Sequence, residues 1–167
     1  MKKFKYLVGY SPTVTEQVQN LIDKDKLTAF LLKKYPCTHD IRTDKALYSY
    51  TIELKNQFLR QSHPLSKVVY DDKIDVLYQA FGLHTFVSRI QGSHLKAKNE
   101  IRISSVFKSV SPEFLKMIVV HELAHLREKQ HDKAFYRLCE HMESEYHQLE
   151  FDFRLYLTHL DLVGQLY

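Results

Sequence analysis

Cysteine is nearly absent. Cys37 and Cys139 stand far apart and without C-x-x-C spacing, so neither a disulfide framework nor a cysteine zinc site is indicated, and both read as packed thiols. Glycine and proline number four each in 167 residues, which leaves no collagen-like, linker or low-complexity tract. Internal repeats are missing as well. No apolar run reaches the length of a membrane span. The start, Met1 to Tyr10, has too few apolar residues before Ser11 and Pro12 for the core of a signal peptide. A reduced, cytoplasmic setting without membrane contact is the expectation.

What is present is enough for one domain with its own core, 44% of the residues being hydrophobic and 13% aromatic. The expected division is a single domain over 1–167, with a helical N-terminal part over 1–63 and a metal-binding core over 64–167. A formal net charge of +4 and a pI near 8.9 favour an anionic partner without naming it.

The chemistry concentrates in the stretch from Met117 to Phe135. On a helix, His121 and His125 lie one turn apart, so both imidazoles leave the same face and can close on one ion. Glu122 sits at the edge of that face, where a carboxylate reaches a metal-bound water rather than the metal. Ten His and ten Glu give this H-E-x-x-H pattern a chance probability of roughly 0.035, so its surroundings must decide. They are apolar. Phe114 to Val120, Leu123, Ala124 and Leu126 bury the helix, and a buried Glu between two His is costly without a cation to compensate it.

A straight helix would place His131 about 9 Å beyond His125, at ~1.5 Å per residue, too far to share an ion. The helix is therefore expected to end near Lys129, with the chain turning back to present His131 and Asp132 capping the next helix. The spacing from His121 to His131 equals that of H-E-x-x-H-x-x-G-x-x-H. Glu128, however, stands where that pattern has Gly, so the turn must be of another kind. Glu140, His141, Glu143 and His147 compete as third ligand. With three protein ligands, Zn2+ leaves a position for water and lowers its pKa to about 7, and Glu122 serves as general base. Tyr136, Tyr146, His147 and Arg89 are candidate oxyanion stabilisers.

Along the rest of the chain, Thr13 and Glu16 form a capping-box spacing before the stripe Val14, Val18, Leu21 and Ile22. Leu27, Phe30 and Leu31 mark a second short helix or a bent continuation of the first, and Asp44 to Arg60 a third. Val68 to Tyr70, with Ile74 and Val76 beyond, read as short strands, with a helix over Ile74 to Phe81 as the alternative. Thr85 to Ile90 and Glu100 to Val106 read as an antiparallel pair. Ser111, Pro112 and Glu113 start the motif helix. Two further helices carry Phe135, Leu138 and Met142, then Leu149, Phe153, Tyr156 and Leu160. The class is α+β. Arg89, Lys96, Lys98, Arg102 and Lys108 outnumber Glu100 on the strands, and the first four are candidates for holding a phosphate or another anionic ligand.

The stretch VVHELAHLREKQHDKAFYRLC, preceded by GLHTFVSRI, LKAKNEIRISSVF and SPEFLKMI, resembles the YgjP-like metallopeptidases, relatives of the WLM and SprT-type zinc proteins. The resemblance covers about the C-terminal hundred residues by motif. It implies a zincin-like α+β domain with an antiparallel sheet against the metal helix, ligands at His121, His125 and His131, and a catalytic Glu122. It also implies two activities, since members of the branch are labelled UTP pyrophosphatases as well as peptidases, and SprT-type relatives act at DNA. The leading expectation is a zinc metallopeptidase, with an extended peptide added to the sheet edge. The alternatives are a nucleoside triphosphate (UTP) pyrophosphatase, whose phosphates the basic strand residues would hold, and a nucleic-acid-associated zinc module.

Overall fold

A computed structural model of the chain describes residues 4–74, 88–93 and 96–167, with 88–93 and 96–98 as backbone only. After a 3-10 turn at Lys5–Leu7 come helices α1 (Pro12–Asp23), α2 (Leu27–Lys34) and α3 (Asp44–Phe58). Strands β1 (Leu65–Asp71), β2 (Ser88–Ser93) and β3 (Lys96–Ser104) follow, and then α4 (Pro112–Ala124), α5 (Lys133–Met142) and α6 (Tyr146–Leu162). The architecture is α+β, as the pattern predicts. Among the described residues no helix is long and apolar enough to cross a membrane.

Local chemistry explains where the helices start. Ser111 accepts a hydrogen bond from the Phe114 N–H at 3.3 Å, with Pro112 in the first turn, where its missing N–H costs nothing. The same Ser-Pro pair starts α1, where Ser11 accepts from the Val14 N–H at 3.4 Å. The capping box at Thr13 does not form, because Pro12 has already fixed helical φ one residue earlier. Asp132 caps α5 by accepting from the Phe135 N–H at 3.0 Å, as expected.

The sheet departs from expectation in pairing. Its order is β1-β3-β2. The hairpin β2–β3 is antiparallel, from Ser93 opposite Lys96 to Ser88 opposite Ile101, but β1 runs parallel to β3, from Leu65 opposite Asn99 to Asp71 opposite Ser104. The small antiparallel sheet of the sequence reading is therefore a mixed one. Alternation fixes which face of a strand is buried and carries no information about the direction of its partner. Strand bounds shift too. β3 begins at Lys96, ahead of the expected Glu100, and a 3-10 turn occupies Ser105–Ser109. Thr85 to Val87, and the expected strand beyond Ile74, lie outside the described residues.

Val68, Tyr70, Ile101 and Ile103 point into the core. At its centre is α4, buried from Met117 to Ala124, with α6 packed along it. Phe107 stacks on Phe153 at 4.6 Å between ring centroids, and Phe114 meets Phe153 edge-on at 5.3 Å. The N-terminal helices dock on α6 through polar contacts. Asp152, fully buried, accepts from Lys34, from the Tyr35 hydroxyl and from Gln148, which satisfies a carboxylate that burial would otherwise penalise. The Thr28 hydroxyl lies 2.8 Å from His159 Nε2, and Lys5 pairs with Asp161 at 2.6 Å.

Candidate metal centre

The motif helix stops earlier than the sequence suggests. α4 ends at Ala124 with His125 as its C-cap, and the chain tightens into a turn. The Leu126 N–H bonds the Leu123 carbonyl at 3.0 Å, and the Arg127 and Glu128 N–H groups bond the Ala124 carbonyl at 3.1 and 2.9 Å. His125 holds that turn from its side chain, with Nδ1 lying 3.0 Å from the Glu128 carbonyl oxygen. A carbonyl only accepts, so Nδ1 carries the hydrogen and Nε2 keeps its lone pair. Among the described residues Asp25 is the only non-glycine with positive φ, so Glu128 needs no left-handed conformation to turn the chain.

Three imidazoles converge as a result. His131 Nε2 lies 3.0 Å from His125 Nε2 and 3.4 Å from His121 Nε2. Among the described residues these three histidines form the one group able to offer three donor atoms to a single ion, all within 4.8 Å of one another. Zinc bound tetrahedrally at about 2.0–2.1 Å would set its nitrogens roughly 3.3–3.4 Å apart. His121 is oriented from behind by the Tyr146 hydroxyl, 2.7 Å from its Nδ1. The buried Phe135 ring packs against all three imidazoles, at 4.9 Å from His121, 4.6 Å from His125 and 4.9 Å from His131.

Glu122 is fully buried beside this cluster, and neither carboxylate oxygen has a hydrogen-bond partner among the described residues. Burial pushes its carboxyl well above the ordinary range. A buried carboxylate with no donor is unfavourable unless a cation stands close by. The donor set and this orphaned group together fit a divalent metal.

The competing ligands go elsewhere. His147 pairs with Glu140 at 2.9 Å on the surface, Glu143 pairs with Lys116 at 2.8 Å, and His141 lies edge-on to Phe58. Tyr136 is half-buried against the rings of Tyr146 and His147. Tyr146 is buried behind His121, and burial pushes the Cys139 thiol up to about 12. Arg102 pairs with Asp71 at 3.2 Å and Glu100 at 3.5 Å. Arg89 stands opposite Glu100 and Lys98 opposite Gln91 in the ladder, and Lys96 opens β3, but their side chains lie outside the description. The support given by Phe135 and Tyr146 was not read from the sequence. For Phe135 a signal existed, since the Asp132 cap places it in the first turn of α5, right after His131.

The sequence matches the family described as YgjP-like, metallopeptidase domain, over residues 38–154. The chain belongs to that family. As a YgjP-like protein it is an enzyme of the hydrolase class. The matched segment contains α3, the sheet and the whole histidine cluster, while α1 and α2 precede it. A protein of Escherichia coli (strain K12) named UTP pyrophosphatase is 59% identical over 162 residues, which span 97% of this chain and 97% of its own. No solved structure matches the chain.

Proposed function

We propose that this YgjP-like protein is a zinc-dependent nucleoside triphosphate pyrophosphatase acting on UTP, in the cytoplasm. The observation that carries the reading is the near full-length likeness, at 59% identity, to a protein of that name. The alternative weighed from the sequence thus moves ahead of the peptidase. Free Cys37, exposed, and Cys139, buried, suit a reducing compartment.

In this reading His121, His125 and His131 hold the metal through Nε2. When bound, zinc supplies a water of lowered pKa and an electrophile for a phosphoryl oxygen. Glu122 takes the water proton on a carboxylate oxygen and delivers it to the leaving group. The water oxygen bonds the α-phosphorus, the α–β bridging P–O bond breaks, and pyrophosphate departs. Phe135 keeps the ligand side of the cluster dry. His125 stays in the tautomer that the Glu128 carbonyl selects, and Tyr146 fixes the His121 ring.

A peptidase reading keeps one support, the description of the family as a metallopeptidase domain. The test is to incubate the zinc-loaded protein with a casein-type substrate and with a panel of nucleoside triphosphates. Pyrophosphate release from UTP is expected. Casein cleavage with no nucleotide turned over would replace the proposal with the peptidase.

In this reading Tyr146 acts as a positioning residue, because it is fully buried and its hydroxyl lies 2.7 Å from His121 Nδ1. Tyr146→Phe should weaken zinc binding by roughly 10- to 100-fold, measured by competition with a chromophoric chelator. Its circular dichroism should not change. Undiminished affinity would remove that role.

A further inference from the structure

A groove of about 700 Å³ opens beside the turn that follows the motif helix, lined by Leu126 and Arg127 and by the end of α3 with the loop to His63. That volume suits a nucleotide-sized ligand. No Asp or Glu lines it, although the chain holds 20 of them. Arg60, His63 and Arg127 do, all exposed and without an ion pair among the described residues.

The loop wall is fixed from beneath. Lys55, buried in α3, donates from Nζ to the Ser62 carbonyl at 3.1 Å, and the Ser62 N–H bonds the Leu59 carbonyl at 3.0 Å. Among the described residues Lys55 has no carboxylate partner, so a buried positive charge stands behind the groove as well. Field from a buried cation is screened far less than that of surface lysines. Phe58 and Leu126 supply apolar surface between the charged ends.

The groove is close to the metal cluster by covalent necessity. Arg127 follows His125 by two residues, which limits their Cα separation to about 7.6 Å. Arg102, by contrast, is engaged by Asp71 and Glu100. We propose that this groove binds the phosphate groups of the substrate, with Arg60 and Arg127 supplying the guanidinium groups that hold them. Guanidinium groups match phosphate oxygens in paired hydrogen bonds, and two arginines lining one groove that holds no carboxylate suit such recognition.

The inference rests on the nucleotide reading above, and its test separates the two. Pyrophosphate binding to the zinc-loaded protein is measured by calorimetry, alongside KM for UTP, for wild type, Arg60→Ala, Arg127→Ala and the double variant. Arg42→Ala, an exposed cation outside the groove, serves as control. Each groove substitution should raise the pyrophosphate Kd about tenfold, with KM following, and the double variant should lose more than either. Arg→Lys at either position should recover only part, because lysine keeps the charge and loses the fork. A double variant whose Kd and KM both stay within twofold of wild type overturns the groove, whatever the activity. Loss of pyrophosphate binding in the variants, in a protein that turns over no nucleotide, would sustain the anion site and sink the nucleotide reading alone.

Discussion

Glu122→Gln should keep its fold and its zinc, and lose hydrolysis by roughly 10²- to 10⁴-fold, the range general-base catalysis commands. The change is isosteric, so the packing around a fully buried position is retained. It removes the proton acceptor and keeps the shape of the side chain. It also removes a carboxylate that has no hydrogen-bond partner among the described residues, so the metal-free variant should melt no lower than the metal-free wild type. Steady-state turnover of UTP, zinc analysis of the purified protein and thermal melts read the three effects separately. A variant that retains zinc and full activity would end the role assigned to Glu122.

His131→Ala should cost more than any supporting residue. It takes away the nitrogen that lies within 3.4 Å of both other donors, and affinity for zinc should fall by more than the roughly 100-fold that an outer partner commands. The wild type at a zinc concentration of 100 Kd gains about 2.7 kcal/mol of stability, which raises Tm by about 5 to 10 °C in a chain of this size. That zinc-dependent rise should vanish in His131→Ala. It should persist in His141→Ala, whose ring lies edge-on to Phe58 and is not among the donors able to share one ion. Undiminished affinity in His131→Ala would move the third ligand to another residue.

Much of this site was legible because its determinants are local. The start of α4 follows from Ser111, Pro112 and Glu113. The need for His131 to fold back follows from the rise of a helix, and its return is announced by the Asp132 cap. The end of the helix was not legible. Leu126 continues the apolar stripe, so nothing in the pattern stops the helix before Lys129. What stops it is a side chain, His125 reaching the Glu128 carbonyl, and periodicity carries no trace of that contact. Pairing was hidden for a similar reason. Alternating residues predict strands at β1 and β3 equally well whether these run parallel or antiparallel. The charge run on the strands looked unopposed because the acid that meets Arg102 most closely, Asp71, lies on a different strand 31 residues earlier. Tyr146, 25 residues from His121, belongs to another helix whose packing no spacing rule foresees.

The position of α6 links two ends of the molecule. Tyr146 in its first turn holds a metal-site imidazole, while Asp152 and His159 further along it hold Lys34, Tyr35 and Thr28 of the N-terminal segment. One helix therefore supports both the histidine cluster and the N-terminal segment. If the cluster holds an ion as proposed, docking of a segment that precedes the matched family region and contributes no donor atom should be linked to occupancy of the centre. By reciprocity, loosening the α2 side of that helix should then lower affinity for the ion at the other end.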